Sequence, residues 1–145
     1  MILAIRIHGL VEIDETIENA LSRLRMRRKY SATLLLPTKE NISLIKKLRN
    51  FIAYGPINDK ALLSLIEKRA QLIDKNKKIN AAQVTNEILS QEKKGKLDLK
   101  ALNLKPFFRL HPPRKGIDAK IHFGRKKGVL GDNGDKINDL LGRML

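Results

Sequence analysis

The segment Arg23–Leu36, RLRMRRKYSATLLL, joins the end of an amphipathic helix to an apolar strand, and five of its first seven residues are cations. One or two cations in the last turn of a helix complement the helix dipole, at about 0.3–1 kcal/mol each. Five cations exceed that need. We therefore predict a rigid scaffold that presents these charges to a polyanion.

The residues before this segment have the spacing of a strand and then of a helix. Apolar and polar residues alternate from Ile2 to His8, which is the period of a half-buried strand. Asp14 is a predicted N-cap. The helix after it carries an apolar stripe at intervals of three and four residues, made of Ile13, Ile17, Ala20, Leu21 and Leu24.

The residues after this segment repeat the pattern. A strand is predicted over Ala32–Leu36, a helix after the cap Thr38, and a strand over Phe51–Tyr54. The order is βαβαβ, for which the pattern alone favours right-handed parallel crossovers. A small split sheet with both helices on one face is the alternative.

The rest of the chain is less regular. Helices are predicted after Asn58 and after Asn80, which forms a capping-box pattern with Gln83. We expect Lys105–Gly116, with three prolines, to be extended. Gly128–Gly134 is predicted to be a turn followed by a last helix capped by Asp135.

Composition limits the class of protein. The chain has 145 residues, 30 Lys and Arg, 15 Asp and Glu, and a net charge of +15. This excess favours an acidic partner. Cysteine is absent, which excludes disulfides and thiolate metal ligands. Charges interrupt every apolar run before the roughly 20 residues that a membrane span needs, and we expect a soluble, cytoplasmic protein.

The sequence gives little support to catalysis. The three imidazoles, at His8, His111 and His122, stand beside no nucleophile or metal-binding pattern. The glycine-rich stretch 128–134 lacks the Lys-Ser/Thr ending of a phosphate loop. We expect no catalytic residue, metal or cofactor. An enzyme that acts on acidic substrates remains the alternative from another class.

The segment Phe107–Lys115 places aromatic rings among cations, an arrangement that suits RNA because rings stack on bases while cations bind phosphates. The competing interpretation is that Phe107 or Phe108 fills a core poor in other aromatics. A second basic loop, 124–128, is a solvated tip or a phosphate clamp.

Two blocks of the sequence resemble the L-thirty family of large-subunit ribosomal proteins, in its archaeal and eukaryotic form. The first block is Thr16–Tyr54, with its helix, basic turn, strand, helix and strand. The second block contains Pro106-Phe107, Pro113-Arg114, His122-Phe123 and the helix that begins at Asp135.

This resemblance implies a fold and a function. The implied fold is α+β, with a small βαβαβ split (ferredoxin-like) antiparallel sheet over residues 1–56 and a helical and extended C-terminal extension over residues 57–145. The implied protein is a non-catalytic constituent of the large ribosomal subunit that binds large-subunit ribosomal RNA and neighbouring ribosomal proteins. A free-standing RNA- or DNA-binding protein that acts off the ribosome is the alternative.

The predicted RNA-binding residues come from two sources. The resemblance implies Arg23, Arg27, Arg28, Lys29, Arg109, Arg114 and Lys115. The basic segments add Arg25, Lys46, Lys47, Arg49, His111, Lys120, His122, Arg125, Lys126 and Lys127.

Overall fold

The computed structural model describes residues 1–11, 13–74, 80–125 and 128–145. The strands in these ranges are β1 (Ile2–Arg6), β2 (Ser31–Leu35), β3 (Ile52–Pro56), β4 (Phe108–Arg109), β5 (Ala119–His122) and β6 (Gly128–Asp132). The helices are α1 (Glu15–Arg23), α2 (Lys39–Lys47), α3 (Asp59–Arg69), α4 (Ala81–Lys93) and α5 (Ile137–Met144). None of the helices described is both long and apolar enough to span a membrane.

The six strands form one sheet in the order β4-β2-β1-β3-β6-β5. Strand β1 pairs antiparallel with β2 and β3, and β4 pairs antiparallel with β2. Strand β6 runs parallel to β3 and to β5. The fold is α+β with a mixed sheet. The parallel crossovers favoured by the pattern alone are wrong for β1, β2 and β3, which pair antiparallel as the resemblance implies; the sheet as a whole is mixed because β6 runs parallel to both of its neighbours.

Helices cover both faces of the sheet. On one face Ala4 packs with Leu21 of α1 and Ile45 of α2. On the other face Leu3 and Ile5 pack with apolar side chains of α3, α4 and α5. The prediction of a half-buried first strand is therefore wrong, because α1 and α2 cover the face that alternation made polar, while helices of residues 57–145 cover the apolar face. The division into a core and an extension at residue 56 stays a prediction.

Local signals place the helix starts. The side chains of Thr38, Asn58 and Asn80 accept hydrogen bonds of 2.8 to 3.3 Å from backbone N–H groups in the first turns of α2, α3 and α4, which confirms the three predicted starts. Asp14 holds the N-cap position of α1 without a side-chain cap bond.

Two predictions near the C-terminus are wrong. Residues 128–132 form β6 and not a turn, because Gly128 lies so close to β5 that a Cβ there would be 2.2 Å from the His122 carbonyl oxygen. Asp135 lies inside a 3-10 turn, Gly134–Lys136, that leads directly into α5, so it is not the N-cap of that helix.

Glycine at position 55 is required where β3 meets this 3-10 turn. A Cβ there would lie 2.4 Å from the Gly134 carbonyl oxygen and 3.0 Å from Cγ2 of Ile137. We expect Gly55→Ala to lower the free energy of unfolding by about 1–3 kcal/mol through overpacking, as measured by urea denaturation.

Gly142 in α5 is the matched control, since a Cβ there would meet nothing within 4 Å. Gly142→Ala is expected to raise the free energy of unfolding by up to about 1 kcal/mol through helix propensity. Equal effects of the two substitutions would contradict the described approach of β3 to the turn.

Candidate nucleic-acid interface

The segment that follows α1 alternates buried anchors with exposed cations. Leu24 and Met26 are buried in the core beneath α1 and α2. The cations before, between and after them are all exposed; they are Arg23, Arg25, Arg27, Arg28 and Lys29. The two buried anchors fix the backbone next to Arg23, Arg25 and Arg27, so these cations face outward.

Helix α1 ends in a Schellman motif with an unusual residue. The Met26 N–H donates to the Leu21 carbonyl at 2.9 Å, and the Arg25 N–H donates to the Ser22 carbonyl at 3.0 Å. Arg25 adopts the left-handed conformation with φ of 62°. Glycine is the usual residue there, and α4 uses Gly95, with φ of 69°, at the same point of its own C-terminal motif.

A groove of about 510 Å³ follows this motif. Asn19, Ser22, Arg23, Arg25 and Arg27 line it, with no carboxylate among the described lining residues. The Arg27 Nε donates to the Ser22 hydroxyl at 3.0 Å, which orients the guanidinium. Three arginines around one groove suit an extended chain of phosphates.

The basic segment rests on a buried arginine. The Arg6 side chain is 0% exposed. Its Nη1 donates to the carbonyls of Met26 at 2.8 Å and Arg27 at 3.0 Å. Its Nε donates to the His8 carbonyl at 3.0 Å and its Nη2 to the Gly9 carbonyl at 2.7 Å. One guanidinium therefore fixes the backbone of two segments, the loop after β1 and the basic segment before β2.

Burial lowers the pKa of Arg6, and the negative charge of Glu18 partly opposes this effect. Arg6 is not among the residues predicted from the sequence, because alternation placed it on a polar strand face. The sequence did hold one indication: a guanidinium, which has five donors, stands at the end of a strand, directly before a loop whose carbonyls need donors.

The basic end of α2 reaches the same end of the sheet. Arg6 lies opposite Ile52, the first residue of β3, and α2 leads directly into β3. The cations of this junction are exposed; they are Lys46, Lys47 and Arg49. We call this part of the molecule, where β1 ends at Arg6 and β2 and β3 begin at Ser31 and Ile52, the Arg6 end.

Strand β4 adds a further cation. Arg109 pairs with Ser31 and is exposed at the Arg6 end. Its guanidinium lies 5.8 Å from the centroid of the Phe107 ring, within cation–π range. Phe108 is 0% exposed in the core. Of the two interpretations left open for this pair, core filling is correct for Phe108.

The proline-rich loop is held by α5, which begins beside Gly55 and ends at the Arg6 end. The His111 N–H donates to the Met144 carbonyl at 3.0 Å. The Arg143 Nε donates to the Arg114 carbonyl at 3.0 Å, and its Nη2 donates to the Gly116 carbonyl. His111, Arg114 and Lys115 are exposed as a result. Arg143, which was not predicted from the sequence, positions them.

The remaining predicted residues lie at the other edge of the sheet. Lys120, His122 and Arg125 line a cavity with His8 and Phe51 at the Arg6 end. Lys126 and Lys127 lie outside the described residues. The structure thus places the described cations of the α2–β3 junction, β4 and β5 near the Arg6 end, whereas Arg23 and Arg25 also line a groove along β2 that extends to Leu35.

In the part of the chain that the structure describes, no lysine or arginine forms an ion pair with a carboxylate. Among the described residues, the one ion pair joins the Met1 ammonium group to Glu92, and it involves no lysine or arginine. The described residues also contain no cluster of His, Asp and Glu that would hold a metal ion. Burial and the negative charge of Asp132 raise the pKa of Tyr54, and Arg49 opposes the shift. A carboxylate therefore lies close to Tyr54, next to the cations of the α2–β3 junction.

Comparison with known proteins identifies the family. No family model matches the chain. The chain is 35% identical to the large ribosomal subunit protein uL30 of Nanoarchaeum equitans, with 97% of this chain and 96% of that protein aligned. It is 34% identical to uL30 of Archaeoglobus fulgidus, with 99% of each chain aligned. The chain belongs to the uL30 family. A uL30 protein of Methanobrevibacter smithii, 32% identical with 100% of each chain aligned, has the same extent.

Membership of the uL30 family confirms the resemblance found in the two sequence blocks. The alignments cover the C-terminal part as well as the βαβαβ part, as expected for the archaeal type. The uL30 relatives are named as ribosomal proteins and not as enzymes, so the alternative of an enzyme is wrong.

Replacing the buried arginine tests its positioning role. We expect Arg6→Met to lower the free energy of unfolding by about 2–4 kcal/mol, because several carbonyls lose a charged donor in a buried site. Arg23→Gln, at an exposed position of α1, is the control and should change it by less than about 0.5 kcal/mol. Urea denaturation measures both, and a neutral Arg6→Met would contradict the role.

Exchanging the residues at the two Schellman motifs tests the strain at Arg25. Arg25→Gly is expected to raise the free energy of unfolding by up to about 1 kcal/mol, because glycine adopts positive φ freely. Gly95→Arg is expected to lower it by about 1–2 kcal/mol for the converse reason. Thermal or urea unfolding measures both free-energy changes. If Arg25→Gly destabilises the protein, the left-handed conformation of Arg25 is not strained.

Proposed function

We propose that this uL30-family protein is a structural constituent of the large ribosomal subunit and binds large-subunit ribosomal RNA through the cations of the Arg6 end. The observation that carries the proposal is that cations from sequence-distant segments, the α2–β3 junction, β4 and β5, lie near one end of the sheet, with no lysine or arginine paired to a carboxylate among the described residues. Such a surface fits a dense array of phosphates.

The RNA-binding residues proposed are those of the groove after α1, the α2–β3 junction, β4, the proline-rich loop and β5. Most of them belong to elements whose backbone is fixed by burial or by Arg6 and Arg143, and β5 is held by its pairing with β6. Binding of this kind neutralises phosphates and follows the shape of folded RNA more than its sequence. Neighbouring ribosomal proteins are the further partners that the family membership supports.

The architecture also supports two finer proposals. We propose residues 1–56 as the RNA-binding core, with a split, ferredoxin-like arrangement of β1, β2 and β3 under α1 and α2. Residues 57–145 would then be the extension typical of the archaeal type. Its strands lengthen the sheet at both edges, and so extend the surface at the Arg6 end.

Charge neutralisation at matched positions tests the proposal. The double substitution Arg25→Gln with Arg28→Gln removes two exposed cations of the Arg6 end, and we expect a weaker complex with a transcript of large-subunit ribosomal RNA. The slope of log affinity against log salt should fall by about 0.7–0.9 for each phosphate that the variant no longer neutralises. Filter binding over a range of salt concentrations measures both quantities.

Lys60→Gln with Lys68→Gln is the control, because both lysines are exposed on α3, which packs on the opposite face of the sheet from α1. This pair removes the same net charge and should leave the slope unchanged. An affinity that is independent of salt, or an equal decrease for both pairs, would reject the proposed surface. Co-sedimentation with large subunits in high salt separates a ribosomal constituent from a free-standing RNA-binding protein.

A further inference from the structure

A cavity of about 850 Å³ opens at the Arg6 end, between the loop after β1 and strand β5. This volume is within the range of small-molecule sites in proteins. It differs from the rest of the basic surface because aromatic and aliphatic side chains form much of its wall. Phosphate binding alone does not need such a wall.

One side of the cavity is aromatic. The rings of His8 and Phe51 meet edge to face, with centroids 5.4 Å apart and an interplanar angle of 84°. The Phe51 carbonyl accepts hydrogen bonds from the N–H groups of Ile7 at 3.0 Å and His8 at 3.1 Å. The two rings are therefore fixed to each other through the backbone, and they form a preorganised platform.

The opposite side combines apolar and cationic groups. Ile121 and Leu130 line the cavity, and Ile121 is 38% exposed although it is aliphatic. Lys120 and Arg125 line it from an exposed strand and the loop after that strand. No carboxylate is among the described lining residues.

The His122 imidazole lies against the backbone of β6. A Cβ at Gly131 would be 3.1 Å from the His122 Nδ1, so the absence of a side chain at Gly131 leaves room for the ring. Gly131 also has a positive φ of 83°, which favours glycine there. The local backbone thus sets the position of a second imidazole in the cavity.

From these features we propose that the cavity receives a single unstacked nucleobase of the bound RNA, with Lys120 and Arg125 holding the adjacent phosphates. A nucleotide is the ligand that joins a flat apolar ring to a dense negative charge, and unstacked bases of RNA loops and bulges stack on aromatic side chains. The cavity adjoins the α2–β3 junction, since Asn50 and Phe51, which follow Arg49, line it. The inference rests on the proposed RNA-binding function and adds a base-binding position to it.

The three histidines of the chain make a direct test possible. His8 and His122 line the cavity, whereas His111 lies in the proline-rich loop and serves as an internal control. We expect adenosine 5′-monophosphate at millimolar concentrations to shift the imidazole signals of His8 and His122 in NMR spectra of the full chain, and to affect those of His111 no more than ribose 5-phosphate does. Ribose 5-phosphate, which has no base, should produce much smaller shifts.

A substitution test in the RNA complex complements the spectra. Phe51→Leu keeps an apolar side chain but removes the ring, and should lower affinity for the large-subunit RNA transcript by about fivefold or more with an unchanged salt slope. Phe123→Leu, at an exposed aromatic that does not line this cavity, should have no such effect. Urea denaturation of both variants verifies that they are folded.

The outcomes separate this inference from the proposed function. Equal shifts with ribose 5-phosphate would show a phosphate site and overturn the base-binding position, as would the absence of shifts at His8 and His122 together with unchanged affinity of Phe51→Leu. Salt-dependent RNA binding would survive either result. If RNA binding itself were independent of salt, the proposed function would fail whatever the spectra showed.

Discussion

The buried guanidinium of Arg6 is the group on which the functional surface depends. It joins the end of the central strand to the carbonyls of Met26 and Arg27, which lie inside the basic segment, and to those of His8 and Gly9 in the following loop. A hydrogen bond from a charged donor contributes roughly 1.5–3 kcal/mol, and four of them, together with the negative charge of Glu18, offset the desolvation of the guanidinium. The exposed cations therefore start from a backbone that is already fixed.

This arrangement explains why a protein with so much positive charge keeps its cations close together. Like charges repel, and a flexible loop would separate them. Here the backbone is fixed by Arg6, by the buried side chains of Leu24 and Met26, and by the Schellman motif at Arg25. A non-glycine residue in the left-handed conformation costs about 1–2 kcal/mol. Helix α4 avoids this cost with glycine at the equivalent point. An arginine at position 25 therefore indicates that its charge serves binding.

The elements of residues 1–56 could be predicted well from the sequence, because each has a local signal. Thr38 shows where α2 starts, and alternation or apolar runs show the strands. The two-sided burial of β1 had no such signal, since it depends on how helices from both parts of the chain pack on the sheet. Strand β6 was missed for a related reason: its glycines, which permit close approach to β5, have the same local appearance as a turn.

The candidate site could also be predicted only in part, since some of its residues have a local signal and others do not. Exposed cations can be recognised from charge density alone, and the described members of both basic blocks are exposed or, like His122, partly exposed. The residues that position them could not be recognised from local patterns. Arg6, which is buried, and Arg143, which is exposed, are chemically the same as the other arginines, and only the tertiary fold directs their guanidinium groups to backbone carbonyls.

The two classes of arginine show how one side-chain chemistry serves both folding and binding. A guanidinium directed inward finds carbonyl acceptors, which are neutral, so it fixes a loop without cancelling the charge of the surface. A carboxylate partner would have fixed the same loop but reduced the field that attracts phosphates. The use of carbonyls by Arg6 and Arg143, together with the absence of lysine or arginine ion pairs among the described residues, preserves the positive potential for an external polyanion. The charge that opposes folding of the isolated chain is therefore the charge available to stabilise its complex with RNA.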